Sequence, residues 1–393
     1  MKEQIVELTS ELIRIPSRAG IDSTTPILNY IKRWLTEKNL PVQSLINGSS
    51  EEVGVYFHLD SGRPGPAICL NACIDTAPFG DESAWSASPT SGHVSSNRLY
   101  GRGAADSKVG VSIFSALASE ILRRGELTRG ELFIVFDADE HTGAFQGIKT
   151  FLKNIPRRPD VVMIGYPGNA GLVVGSRGFL RATLTVFGTA AHSGSSSMRG
   201  FNAIEKMARL VSAIHQANFP LETDRYFDFG PQANVTEIGG GQGYSIIPDR
   251  CTGKVDIRLT PTFSVETARQ WLEQIVEGID KNEPGPRPSR IDWIESWPPY
   301  RVKSESYRVS EFLRIASEVF KRQIQDKVSG PSNIGNYLAS RGIPTLSGFG
   351  VTYWNLHGID ECIDLETVIP TYETYYQLIS NLLTSDRTPL ASL

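Results

Sequence analysis

The apolar run 132–136 passes straight into Asp137-Ala138-Asp139-Glu140-His141. So short and apolar a run predicts a buried strand, and three acids with a histidine at its end are rarely a mere solvated loop. The arrangement recurs. Strand-like 67–71 leads into Cys73-Ile74-Asp75, and 161–165 leads into Tyr166-Pro167-Gly168. Residues 108–124 read as a long helix, and Ile5, Leu8, Leu12 and Ile13 mark another that stops at Pro16. Strands alternating with helices predict an α/β domain, a sheet flanked by helices, with ligand groups gathered at the carboxyl ends of strands.

The middle of the chain has a different rhythm. Leu180, Ala182, Leu184 and Val186 alternate along a strand, a helix follows at 201–217, and strands are expected at 233–238 and 253–259. A second helix carries Trp271, Leu272, Ile275, Val276 and Ile279, and 290–295 is again strand-like. The order β-α-β-β-α-β is that of a ferredoxin-like module. With 393 residues, too many for one ordinary core, the chain is expected to hold two domains. One comprises 1–178 and 298–393, and the other, 179–297, is inserted into it.

Bulk properties exclude several classes. A formal net charge of -4 offers no basic field for nucleic acid. No apolar run approaches the ~20 residues of a membrane helix, and residues 1–8 have no signal-peptide core, so a cytoplasmic setting is expected. The four cysteines, Cys69, Cys73, Cys251 and Cys362, fit reduced thiols better than a disulfide framework.

Five places offer chemistry. Cys73 can bind zinc as a thiolate, with Asp75 supporting it, although a buried cysteine beside a turn aspartate is the commoner arrangement. Asp106, in the small-residue loop 101–108, is either a helix N-cap or a carboxylate able to bridge two cations. That loop lacks a Gly-Lys-Ser/Thr ending, which argues against a phosphate cradle. Glu140 beside His141 suggests a general base next to a metal ligand. His192 and His357 are single histidines, each weak by itself.

Placed in order, these segments resemble the family of acetylornithine deacetylase, succinyl-diaminopimelate desuccinylase, aminoacylase and glutamate carboxypeptidase. The likeness runs from Arg14-Ile15-Pro16-Ser17 through Tyr100-Gly101-Arg102-Gly103 and Asp106-Ser107-Lys108 to Leu356-His357. Gly188-Thr189-Ala190-Ala191-His192-Ser193, with Gly200-Phe201-Asn202-Ala203, resembles its lid motif. Ile247-Pro248-Asp249 with Asp256-Ile257-Arg258 resembles its lid hairpin. The resemblance implies a two-zinc site bridged by Asp106, with Glu140 as general base and His357 as a ligand. It also implies a homodimer in which His192 reaches the neighbouring subunit's site, with Arg258 clamping a substrate carboxylate. Cys73, His141 and Tyr166 depart from the family's ligand types, and Asn333 replaces a substrate-loop aspartate. Asp106, His141 and His357 remain a sound zinc set, whereas Cys73 and the Tyr166 phenol make a poor second one.

The expectation is therefore a zinc-dependent amidohydrolase with about one zinc per chain. Its substrate would be an N-acyl amino acid or small peptide with a free carboxylate. Two alternatives stand beside it. One is a metal-poor or metal-free transferase, cyclase or amide-forming biosynthetic enzyme on the same fold. The other is an inactive amino-acid-binding homologue, for which Glu140 has no obvious use.

Overall fold

Apolar strands and amphipathic helices assemble into two compact units in a computed structural model describing residues 1–196, 200–219 and 224–384. Unit one comprises Met1–Gly175, Val302–Lys327 and Asn333–Leu393, and unit two comprises Ser176–Arg301 and Val328–Ser332.

Unit one begins with helices α1 (Lys2–Arg14) and α2 (Thr25–Glu37). Strands β1 (Gln43–Ile46), β2 (Glu52–Asp60) and β3 (Ala67–Cys73) follow. Helix α3 (Val109–Arg124), strand β4 (Glu131–Asp137), helix α4 (Gln146–Asn154) and strand β5 (Val161–Ile164) complete its first part. The sheet order is β1-β2-β4-β3-β5, closed by a short strand at Thr345–Leu346. The β1–β2 and β2–β4 pairs are antiparallel, while β3 pairs with β4 and β5 in parallel. All seven residues of β3 are buried, as a central parallel strand requires. Because β3, β4 and β5 run the same way, their carboxyl ends share one edge.

Unit two is a four-stranded antiparallel sheet with two helices. Its elements are β6 (Gly178–Phe187), α5 (Ala203–Gln216), β7 (Gln232–Gly240), β8 (Arg250–Leu259), α6 (Val265–Asn282) and β9 (Arg290–Trp297). The order β7-β8-β6-β9 is that of the ferredoxin-like module. Leu180, Ala182, Leu184 and Val186 pack with Met207, Leu210 and Ile214 of α5 and Leu272 and Val276 of α6. A period of two on the strand meets a period of 3.6 on the helices.

The chain re-enters unit one through α7 (Tyr307–Phe320), α8 (Ile334–Ser340) and α9 (Val368–Thr384). Val109, Ile113 and Phe114 of α3 join Phe312 of α7 and Tyr375 and Leu378 of α9 in its core.

Helix α3 approaches the end of β5 so closely that a Cβ on Gly110 would stand 2.6 Å from the Gly165 carbonyl oxygen. By contrast, a Cβ on Gly278 of α6 would meet nothing within 4 Å. Gly110→Ala should therefore cost about 1–3 kcal/mol in urea unfolding, although alanine is the better helix former. Gly278→Ala should stabilise by about 0.5–1 kcal/mol. Stabilisation in both variants would show that α3 does not pack this tightly.

Candidate active site

The common edge of β3, β4 and β5 delivers three polar segments to one place, and two loops complete it. Cys73 is the last residue of β3, and Asp75 follows it, fully buried. Asp75 accepts the backbone N–H groups of Glu140 (3.2 Å) and His141 (2.8 Å), so one buried carboxylate holds the next strand's loop. Asp137, at the end of β4, accepts N–H groups from Asp139 and Ile148 and thereby anchors the start of α4. Burial and the nearby Asp75 push its carboxyl up to about 8.

Asp106 is not the N-cap of α3. That helix starts at Val109, and Asp106 has an extended backbone of φ -116° and ψ 93°, with a cis bond to Ser107. Its Oδ2 lies 3.0 Å from His357 Nε2 and 3.6 Å from His141 Nε2, and its Oδ1 lies 3.6 Å from Cys73 Sγ. Burial alone would raise this carboxyl, but His141 and His357 override it and hold it well below the ordinary range.

His141 has Nδ1 at 3.2 Å from Glu140 Oε2 and 3.4 Å from Asp75 Oδ2. Neither buried ring nitrogen makes a well-formed hydrogen bond, which leaves both directed at carboxylates without a donor–acceptor geometry. Burial opposes a proton on His141, yet Asp106 and Asp75 outweigh it and raise the pKa well above the usual value. A cation would compete for the same place.

Asp106, His141 and His357 offer ligand atoms all within 4.8 Å of one another, as do Cys73, Glu140 and His141. The first set, two imidazoles and a carboxylate, fits a divalent metal such as zinc with a position left for water. The second shares His141 with the first. Burial and Asp106 keep the Cys73 thiol far above its ordinary pKa, so it reaches the thiolate form only against an electrostatic cost.

Tyr166 follows β5, and its hydroxyl donates to Glu140 Oε1 at 2.6 Å. Burial and Glu140 raise the phenol well above 10, which keeps it a donor. Burial likewise pushes the Glu140 carboxyl up to about 7, a value suited to taking and returning a proton.

Two residues that the sequence reading did not single out tie the loops together. Arg102 and Glu361, both buried, form an ion pair at 2.6 Å. Glu361 Oε1 also accepts the N–H of Ala105 (2.9 Å) and of Asp106 (3.3 Å), while Arg102 donates to the His357 carbonyl at 3.0 Å. The sequence signal was an arginine set among glycines and alanines.

Unit one thus brings together Cys73, Asp75, Asp106, Glu140, His141, Tyr166 and His357. Asn333 is engaged elsewhere in that unit as the N-cap of α8, its Oδ1 accepting the Gly335 N–H at 2.8 Å. His192 and Arg258 belong to unit two. His192 is exposed, with Nδ1 accepting the Gly194 N–H at 3.1 Å. Arg258 pairs with Asp256 at 2.8 Å and donates to Ser332 Oγ at 3.3 Å.

Residues 174–284 match the peptidase dimerisation domain. Succinyl-diaminopimelate desuccinylase of Rhodospirillum centenum is 29% identical over 70% of this chain and 72% of its own length. Acetylornithine deacetylase of Proteus mirabilis is 27% identical over 97% of each. The metallo-carboxypeptidase of the M20 family from Sulfolobus solfataricus shares the fold with a TM-score of 0.78 at 18% identity, covering 97% of this chain and all of the other. The likeness in sequence and in fold, with the dimerisation domain at its centre, makes the chain similar to the M20 peptidases and to acetylornithine deacetylase and succinyl-diaminopimelate desuccinylase.

Proposed function

We propose that the chain is a metal-dependent amidohydrolase that cleaves an N-acyl amino acid or small peptide bearing a free carboxylate. The observation that carries this reading is the convergence of Asp106, His141 and His357 beside Glu140. When bound, the ion would supply Lewis acidity toward water and the scissile carbonyl. Glu140, next to that ligand set, takes a proton from the attacking water and returns it to the leaving amine. Asp75 keeps both neighbours in place through two backbone N–H groups. Arg258, a planar cation already paired on one side with Asp256, suits a substrate carboxylate, and Asn333 lies in the loop where substrate selection is expected. His192 is assigned to the developing oxyanion, donated across a homodimer that the dimerisation-domain match supports. A cytoplasmic setting is supported by four buried cysteines, all unpaired. No helix among the described residues is long and apolar enough to cross a membrane.

Three measurements test the reading. Glu140→Gln should lower turnover of an N-acyl amino acid about 10²–10⁴-fold with the fold intact, and unchanged turnover would remove Glu140 from the role of base. Elemental analysis should return about one zinc per chain, lost in His141→Ala and kept in Cys73→Ser. Two zincs per chain would contradict the single-ion site, and none in protein prepared with zinc would favour metal-free chemistry. Finally, mixed Glu140→Gln and His192→Ala protomers should recover about a quarter of wild-type activity, since half the dimers at random carry one intact composite site. A fully active monomer would exclude the shared site.

A further inference from the structure

The hydrolytic reading uses one face of Glu140 and leaves Tyr166 without a task. Yet the Tyr166 hydroxyl makes a close polar contact, 2.6 Å to Glu140 Oε1. The other carboxylate oxygen, Oε2, lies 3.2 Å from His141 Nδ1. The carboxylate is therefore met from both sides by groups on different strand ends. Asp75 fixes only the backbone of Glu140, which leaves three side-chain torsions to be ordered by something else. A general base is effective only when its oxygen lies within hydrogen-bond reach of the proton it takes.

Tyr166 is itself rigidly mounted. Gly168 N–H donates to the Val351 carbonyl at 2.8 Å, and Gly350 N–H donates back to Gly168 at 2.9 Å. A Cβ on Gly350 would stand 2.5 Å from the Tyr166 carbonyl oxygen, so the two segments lie in direct backbone contact. A phenol on such a mount is a fixed donor at the end of β5.

We propose that Tyr166 is a positioning residue for Glu140, its hydroxyl orienting the base's carboxylate, and that it is not a metal ligand. The phenolic proton stays on Tyr166 throughout, and the proton taken from water goes to Glu140. This inference rests on the hydrolytic role of Glu140 proposed above, and the test separates the two. Tyr166→Phe keeps the ring and removes only the hydroxyl. Turnover of an N-acyl amino acid should fall roughly tenfold, the worth of one hydrogen bond, with KM within about twofold. Zinc content should equal that of the wild type. Unchanged kcat would overturn the proposal, and so would loss of metal, which would make the phenol a ligand. Difference infrared spectroscopy supplies a readout that needs no substrate. The carboxylate stretch lost in Glu140→Gln should shift in Tyr166→Phe, and the shift should vanish when the two substitutions are combined. If the wild-type protein hydrolyses no N-acyl amino acid, the functional reading fails while the infrared band still decides whether the phenol holds the carboxylate. An unshifted band would refute the positioning role.

Discussion

The ion pair between Arg102 and Glu361 is the constraint on which the site depends. Removing two charges from water costs several kcal/mol each, and a pair of this kind persists only when the remaining hydrogen-bonding capacity is met. Here it is met generously. Glu361 takes two backbone N–H groups of the Asp106 loop, and Arg102 gives hydrogen bonds to the carbonyls of Pro78 and His357. The pair thus sets the position of Asp106 and His357 relative to each other while touching neither side chain. A hydrophobic replacement of similar volume would fill the space but leave those backbone groups orphaned.

Around that pair the charge is unbalanced. Asp75, Asp106, Asp137 and Glu361 are buried within one unit, with Arg102 and Lys108 as buried cations nearby. Lys108 is spent elsewhere, its Nζ donating to the carbonyls of Leu12 and Ile15 at the end of α1, where burial pushes its pKa down to about 7. Burial and Asp75 favour a proton on Asp137, and Asp106 and Asp75 favour one on His141 against its burial. A divalent cation would relieve the imbalance, and it would do so where Asp106 already draws two imidazoles together. The electrostatic strain and the ligand geometry point to the same spot.

Much of this was legible in the chain because burial writes itself into periodicity. The runs 67–71, 132–136 and 161–165 emerged as the parallel strands β3, β4 and β5, and the β-α-β-β-α-β order emerged as the strand order of a ferredoxin-like sheet. The polar clusters at those strand ends did meet. Less legible were short elements such as α4 and α8, whose nine and seven residues are too few to display a helical period. The backbone of Asp106 was hidden as well, since an aspartate before a helix ordinarily reads as a cap. The role of Tyr166 was framed as a question about metal ligation, because local sequence names a residue type and not the neighbour its hydroxyl reaches.

Arg102 and Glu361 stand 259 positions apart, and between them lies the whole of unit two. At a ribosomal pace of about 5–20 residues per second, the guanidinium is made roughly 13–50 seconds before its counter-ion. During that interval the loop of Asp106 has no buried acid to receive its N–H groups, and the α3 face that packs against α9 has no cover. Unit two has nearly all its chain, Ser176–Arg301, in hand much earlier. The site therefore cannot close on the nascent chain until His357 and Glu361 have been made.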